Sequence, residues 1–454
     1  MDIRTALEAH RTSTVLLLEA TASALAETKG QVELPDGVMT DLTEAARYFT
    51  SPGSVEDRAD GPIQVAPERP KPEQIAPAPV TPRKSKRGKG YAPSTGFNKQ
   101  DLSFLKKVHR TLENPKTRLP ALRDTLVKDN GKGGATITVR DLERHVTYDV
   151  DVRLVDWPED GMVVSMPAFE RLAISPEKTM RTCEDGGVEK VNVSGVTICA
   201  TNGREYPLPN WKAGEELASI LQDSRELEAI YNNVGQAVSK EAEDPRVTGI
   251  LMDFRDNELF VVSTDKRRLH ISHVPCPGKG DQGWIVDARA FKLSCGLAGK
   301  VKVIFCPGQT TFKSEHGVCI SGRNISGTYP NYRVINPSTD YHKCEVKKAD
   351  LMRLAELKPV AKENSNIVTF TAKDGKLILS CAATQVGTSS IEIEAAGAIN
   401  SMVAMNYLYV LEAIKAIDAE YIVMQYGQML QPVFFNAEDD DGMHRNIVMP
   451  VRTE

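Results

Sequence analysis

The chain has 454 residues, of which 41% are hydrophobic and 26% charged, with a formal net charge of −5. At about 150 residues per domain this length predicts roughly three domains, and the composition is that of a globular protein without the ~20-residue apolar run of a membrane span. The acidic balance excludes a uniformly basic nucleic-acid coat, so contact with DNA would require cations segregated onto one face.

Residues 3–28 read as one amphipathic helix and 40–49 as a shorter one with Asp41 near its start, giving a helical extension over residues 1–50. Glu8 and Glu19 interrupt the apolar positions around Val15, Leu16, Leu17 and Leu18, so a cleaved signal sequence is not expected. Eight prolines from Pro52 to Pro82, followed by Arg83, Lys84, Lys86, Arg87 and Lys89, make 51–95 a proline-rich, basic linker. Such a segment buries too little apolar surface to offset its ordering entropy. The globular body is expected from near Gly96. Eight cysteines at irregular spacing, with no C-x-x-C, predict reduced thiols in a cytoplasmic protein.

From there the pattern repeats three times, over 96–212, 213–345 and 346–454. Each unit opens with a helix, runs through alternating strands, enters a second helix and closes with strands. The second helix is the landmark: Pro167, Ala168 and Phe169, then Ala288, Arg289, Ala290 and Phe291, then Asn406, Tyr407 and Leu408. The period of about 120 residues far exceeds the ~20–50 of solenoid repeats, so each unit is a domain with its own core. Val146, Tyr148, Val150, Val152 and Leu154 alternate with Thr147, Asp149, Asp151 and Arg153; Ile391 and Ile393 alternate with Ser390, Glu392 and Glu394. One buried and one wet face predicts antiparallel sheet. The opening helices carry apolar stripes, Leu102, Leu105 and Leu112 in the first unit and Leu351, Leu354 and Leu357 in the third. Lys106, Lys107 and Arg110, or Lys348, Arg353 and Lys362, lie on their other faces. The fold class that follows is α+β, with helices on one side of an antiparallel sheet in each repeat.

Catalytic signatures are missing. Gly131-Lys132-Gly133-Gly134 and Gly278-Lys279-Gly280 lack the spacing and the Ser/Thr of a phosphate loop and read as turns. His270 and His273, three apart on a strand, point to opposite faces and make a poor metal pair. His342 and Cys344 share a face without a second pair nearby, and the acidic run Glu438, Asp439, Asp440, Asp441, Gly442 reads as a solvated hairpin turn. No nucleophile motif and no paired carboxylates at a telling spacing occur. No enzymatic activity, cofactor or metal is expected.

Three α+β repeats, the segment Thr328-Tyr329-Pro330-Asn331-Tyr332-Arg333-Val334-Ile335 and the ending Val448-Met449-Pro450-Val451-Arg452 together resemble the bacterial-type DNA sliding clamp, the beta subunit family of DNA polymerase III. A third match runs from Gly249, Ile250 and Leu251 through Leu259 to Ser263-Thr264-Asp265-Lys266-Arg267-Arg268-Leu269, where Lys266 stands at a position usually Gly in the family. The resemblance covers 96–454 and is weakest in the first unit. It implies the DNA clamp fold, a head-to-tail homodimeric ring whose helices line a central hole and hold double-stranded DNA without sequence preference. By position the DNA-facing cations would be Lys106, Lys107, Arg110, Lys116, Arg246, Arg353 and Lys362, Arg246 standing where an aromatic residue is common. The family also docks polymerase, clamp loader and other motif-bearing partners in a cleft between the second and third domains. Its walls here would be Val247, Thr264, Leu269, Pro330, Ile335, Val448, Met449 and Pro450, with Arg268 and Arg452 at the rim and Glu454 adding negative charge. Met and branched aliphatics suit a site shared by several apolar anchors. The dimer contact would pair an edge strand over 191–200, through Val191 and Val193, with the third unit's opening helix near Val360. The extension, foreign to the family, points to a phage or mobile-element origin. The competing reading is a clamp-like adaptor that binds clamp-binding peptides without encircling DNA.

Overall fold

The computed structural model describes residues 90–112, 120–207, 214–241, 243–277, 281–428, 430–437 and 444–452. The residues expected to form two N-terminal helices, those of the expected linker up to 89, Lys116, the expected turn at Gly278, the acidic run from Glu438 and Glu454 lie outside them.

One strand–helix–three-strand plan, used twice per repeat, accounts for most elements. The first repeat contains α1 (Lys99–Leu112), β1 (Thr125–Asp129), β2 (Ala135–Arg140), β3 (Arg144–Val150), β4 (Arg153–Val155), β5 (Met162–Val164), α2 (Met166–Ile174), β6 (Thr179–Asp185), β7 (Val188–Val193) and β8 (Val196–Asn202). The second contains β9 (Ala218–Asp223), α3 (Ser224–Val234), β10 (Ile250–Arg255), β11 (Glu258–Thr264), β12 (Arg268–Pro275), β13 (Gln282–Val286), α4 (Ala288–Ser294), β14 (Lys300–Phe305), β15 (Gln309–Ser314) and β16 (Cys319–Arg323). The third opens with β17 (His342–Lys347), slightly ahead of the boundary expected at 345/346. It continues through α5 (Lys348–Leu351), α6 (Lys358–Ala361), β18 (Ile367–Lys373), β19 (Lys376–Ala383), β20 (Gly387–Ala396), β21 (Ser401–Asn406), α7 (Tyr407–Ala416), β22 (Tyr421–Tyr426), β23 (Val433–Ala437) and β24 (His444–Val448).

Local sequence explains these elements. Asn98 caps α1 by accepting from Gln100 N at 2.6 Å, and Asp101 returns the favour by accepting from Asn98 N at 2.9 Å. Phe104, Leu105, Val108 and Leu112 then bury one helical face. Tight hairpins form where two residues accept positive φ, as at Asp256-Asn257 between β10 and β11 and Asp374-Gly375 between β18 and β19. The third repeat's opening helix departs from expectation. Leu351, Leu354 and Leu357 are all buried, but their strict three-residue spacing is served by a 3₁₀ turn (Met352–Leu357) between α5 and α6.

The strands form two sheets, in the orders β4-β6-β7-β8-β5-β1-β2-β3-β16-β15-β14-β9 and β13-β10-β11-β12-β24-β23-β22-β17-β20-β19-β18-β21. Two joins cross between repeats, β3 with β16 and β12 with β24. In both, the last strand of one repeat's first half meets the last strand of the next repeat's second half. The helices pack side by side in the order α2, α1, α4, α3, α7, so their row crosses the same two seams.

The first repeat breaks the plan once. In the second and third repeats the opening strand pairs antiparallel with the strand after the second helix, β9 with β14 and β17 with β22. In the first repeat that place beside β6 is taken by β4, in parallel. The alternation from Val146 to Leu154 is therefore not one strand, because the chain turns at Asp151 and crosses to the second half of its domain. The segment before α1 is diverted instead onto the second repeat. Tyr91 N donates to Gly296 O at 2.8 Å and accepts, through its own carbonyl, from Ala298 N at 2.9 Å. Gly90 allows this approach, since a Cβ there would lie 2.1 Å from Leu297 O. Tyr91 stacks on Phe104 at 3.8 Å, and its hydroxyl donates to the buried Asp101 at 2.9 Å. This corrects the expected start near Gly96: the core already includes Tyr91.

One apolar core spans the first two repeats, a second fills the third, and a smaller cluster lies at the junction of the second and third.

Candidate partner cleft and nucleic-acid face

The β11–β12 turn organises the junction between the second and third repeats. Asp265 Oδ1 accepts from the amides of Arg267 and Arg268, each at 3.0 Å. Thr264 Oγ1 donates to Arg268 O at 2.7 Å and accepts from Lys266 N at 3.0 Å. Lys266 takes the left-handed conformation its glycine-favouring position demands, at φ 70°. Its ammonium reaches Asp244 at 3.1 Å. Hydrogen bonds from Arg246 and Lys266 hold the Asp244 carboxyl well below the usual range.

Both segments singled out in the sequence attach to this turn. Tyr329 Oη accepts from Thr264 N at 3.1 Å, and the buried Tyr329, Tyr332 and Leu269 share one apolar cluster with Ile335 packed against it. Tyr332 Oη donates to Asp253 at 2.9 Å, and Arg333 also binds that carboxylate. Burial pushes the Tyr332 hydroxyl up to about 12, which keeps it a donor. From the other side, Met449 N donates to Arg267 O at 2.8 Å, and Val451 N to Ala404 O at 2.7 Å on β21. Pro330 and Pro450 thus each sit one residue from an anchor to the same turn or its flank.

Among the wall residues, Val247, Thr264, Leu269 and Val448 are buried, Pro330, Ile335 and Pro450 half-buried, and Met449 and Arg452 exposed. Arg268 departs from its expected place at an open rim. It is only 8% exposed, paired with Asp265 at 3.0 Å and with Glu412 of α7, and its guanidinium lies 4.3 Å above the Tyr409 ring. Tyr409, Glu412 and Ala404 were missed in the sequence because their partners lie over forty or over a hundred residues away.

Of the expected cations, Lys107, Arg110, Arg353 and Lys362 are exposed on their helices, whereas Lys106 pairs with Glu170 at 2.6 Å and Arg353 with Glu356 at 3.3 Å. Arg246 is turned to Asp244 at 2.8 Å and to Thr328 O at 3.2 Å. Lys116 is outside the described residues. Arg289 and Lys292, both exposed on α4, join these cations, although in the sequence that helix stands out only as an apolar landmark. Their three-residue spacing was the available signal. The Lys107 ammonium reaches over Gly296 at the end of α4, where a Cβ would lie 2.5 Å from Nζ. Lys107, Arg110, Arg289 and Lys292 therefore occupy adjacent helices of one row.

Val191 and Val193 do not lie on an open edge. β7 is paired on both sides, and both side chains are fully buried, as Val360 nearly is. The open backbone edge is on β8 over 196–199, and a second runs along β20 over 387–394. Val196 and Cys199 are exposed on the first, Glu392 and Glu394 on the second.

β12 places His270 and His273 on opposite faces, His270 fully buried and His273 beside Glu258. Among the described residues no group of three or more His, Cys, Asp or Glu is placed to hold a metal, and no helix is long and apolar enough to cross a membrane.

Comparison with known proteins gives three findings. Residues 333–452 match the family "DNA polymerase III beta subunit, C-terminal domain". The chain is 23% identical to a beta sliding clamp of Staphylococcus epidermidis, covering 77% of this chain and 97% of that protein, and 22% identical, with the same shares covered, to one of Staphylococcus aureus. Its fold matches the crystal structure of a DNA polymerase III beta subunit from Thermotoga maritima with a TM-score of 0.68 at 19% identity, covering 79% of this chain and 99% of that one. It also matches the DNA polymerase sliding clamp of Bacillus subtilis with a TM-score of 0.67 at 18% identity, covering 78% and 98%. Repeat architecture, the match of residues 333–452 and relatives spanned nearly end to end all support similarity to the DNA polymerase III beta-type sliding clamps.

Proposed function

We propose that the protein is a non-catalytic processivity factor: a head-to-tail dimer that encircles duplex DNA and tethers the replicative polymerase, the clamp loader and other partners. The observation that carries this is the joining rule of the sheets. Each inter-repeat join pairs the last strand of a first half with the last strand of the following second half. The strands left over by that rule are β20 and β8, and both have open edges. Pairing β8 of one copy with β20 of another would satisfy both edges, and a second such contact would close the ring.

The helix row then faces the DNA. Lys107, Arg110, Arg289 and Lys292 would supply phosphate contacts, joined by Arg353 and Lys362, with Lys106, Lys116 and Arg246 as further candidates. Contacts to phosphate alone carry no sequence information and permit sliding. The peptide-binding cleft would lie over the β11–β12 turn, between the Pro330 and Pro450 segments, with Leu269, Val247, Ile335 and Met449 as apolar wall and Arg452 at its rim. An exposed Met beside branched aliphatics suits several partners at one site.

The test is mass and topology together. Light scattering should give about twice the 49.9 kDa chain mass, and protein loaded on nicked circular DNA should be retained until the circle is linearised. A monomer, or loss from circles and linear DNA at equal rates, overturns the reading.

A further inference from the structure

The two inter-repeat seams carry the same device, which the third repeat lacks. Between the paired Arg140 and His145, residues 141–144 carry the chain from β2 round to the first residue of β3, Arg144. Between the paired Thr264 and Leu269, residues 265–268 do the same from β11 to the first residue of β12, Arg268. Each opens with Asp and ends with Arg. Asp141 Oδ1 accepts from the amides of Glu143 and Arg144 at 2.8 and 2.7 Å, as Asp265 Oδ1 does from Arg267 and Arg268. The two arginines bind their own turn aspartates at 2.7 and 3.0 Å.

Each arginine then crosses a seam to an acid on the next repeat's second helix. Arg144 makes two parallel bonds to Asp287, the cap of α4, at 2.6 and 2.7 Å, and Arg268 binds Glu412 on α7. At the first seam Gly322, opposite Arg144, leaves room for this, since a Cβ there would lie 2.7 Å from that of Asp287. A forked, largely buried ion pair fixes geometry as well as adding attraction. In the third repeat Ala383 pairs with Gly387, so the turn shortens to residues 384–386. Thr384, Gln385 and Val386 supply neither the Asp nor the Arg.

We infer that the Asp-x-x-Arg turn is a duplicated inter-domain latch that locks the two seams within a chain, and that the seam made by β20 is built without it so that it is the one to part. The second half of this inference rests on the ring reading; the first rests on the chain alone.

Amide hydrogen exchange on the full chain, resolved by peptide, tests the first half. Arg268→Leu is expected to raise exchange at least tenfold along β12 and β24 while leaving β3 and β16 unchanged, and Arg144→Leu to do the converse. Glu412→Gln, at a half-exposed position, gives a milder version of the first pattern should Arg268→Leu fail to fold, and Arg144→Lys serves the other seam. The pair Arg268→Glu with Glu412→Arg should recover part of the loss. Changes below threefold, or equal changes at both seams, overturn the latch. For the second half, labelled wild-type subunits should exchange at least tenfold faster than either inner seam opens. Slower subunit exchange overturns it. A chain monomeric at every concentration overturns the ring reading and the second half with it, while exchange at the inner seams still decides the first.

Discussion

Replacing Tyr91 by Ala tests whether the ordered body extends upstream of residue 96. The ring is 6% exposed, stacked 3.8 Å from Phe104 and edge-on to Tyr148 at 6.0 Å. Truncating a buried aromatic to Ala costs about 3–5 kcal/mol, and the site cannot collapse easily because the backbone of Tyr91 is itself bonded to Gly296 and Ala298. The hydroxyl is a smaller share. Asp101 keeps the Asn98 amide and Ser94 as donors, so Tyr91→Phe should cost only about 1.5 kcal/mol. All three tryptophans, Trp157, Trp211 and Trp284, precede the third repeat, so urea unfolding followed by their fluorescence reads the first two repeats. Removing residues 1–89 deletes none of these contacts, whereas removing 1–95 should lose at least as much as Tyr91→Ala. A loss below about 1 kcal/mol for Tyr91→Ala, or equal stability of the two truncations, would refute the argument.

Three further outcomes are expected. Burial lowers the His270 pKa to about 4, against 6.5 for the free group, so the unfolded chain takes up the proton first. Stability is then full above about pH 6.5 and declines as pH falls toward 4, by up to about 3 kcal/mol. His270→Gln should flatten that slope in urea titrations, although His109, also lowered to about 4 by burial, retains part of it; an unchanged slope counts against this. At Lys266, replacement by Val should destabilise by about 1–2 kcal/mol because a β-branched side chain resists positive φ, while Gly should be near neutral. Thermal melts that rank Val equal to Gly would contradict the left-handed turn. Finally, removing the charges of Lys107, Arg110, Arg289 and Lys292 should reduce the slope of log affinity for duplex DNA against log salt by about 0.9 for each phosphate no longer neutralised. An unchanged slope would place the DNA elsewhere.

Much of this architecture was legible in the residues. The 120-residue period, the alternation at Ile391 and Ile393 and the stripe of α1 all appear where the sequence put them, because each depends on local periodicity. Partnerships formed across the chain were not legible. Val191 and Val193 announce a strand, but only pairing shows that β7 is interior and that the open edge belongs to β8. Arg268 reads as a solvated rim charge until Glu412, far along the chain, is seen beside it. Lys266 is intermediate: its identity flagged an unusual turn, and its φ confirms that the backbone kept the glycine-type conformation. In the third repeat the three-residue leucine spacing held the clue to a 3₁₀ turn, though it reads equally well as one stripe of an α-helix.

The diversion of Tyr91 also has a mechanical consequence. A load applied at Gly90 itself reaches the body at the Gly296–Ala298 backbone, between α1 and α4, rather than at an edge of either sheet. Such a load therefore strains the seam that Arg144 crosses to Asp287. It leaves the open strands β8 and β20 unloaded. A handle attached at Gly90 should accordingly serve for immobilising the protein in single-molecule work while those two edges stay free.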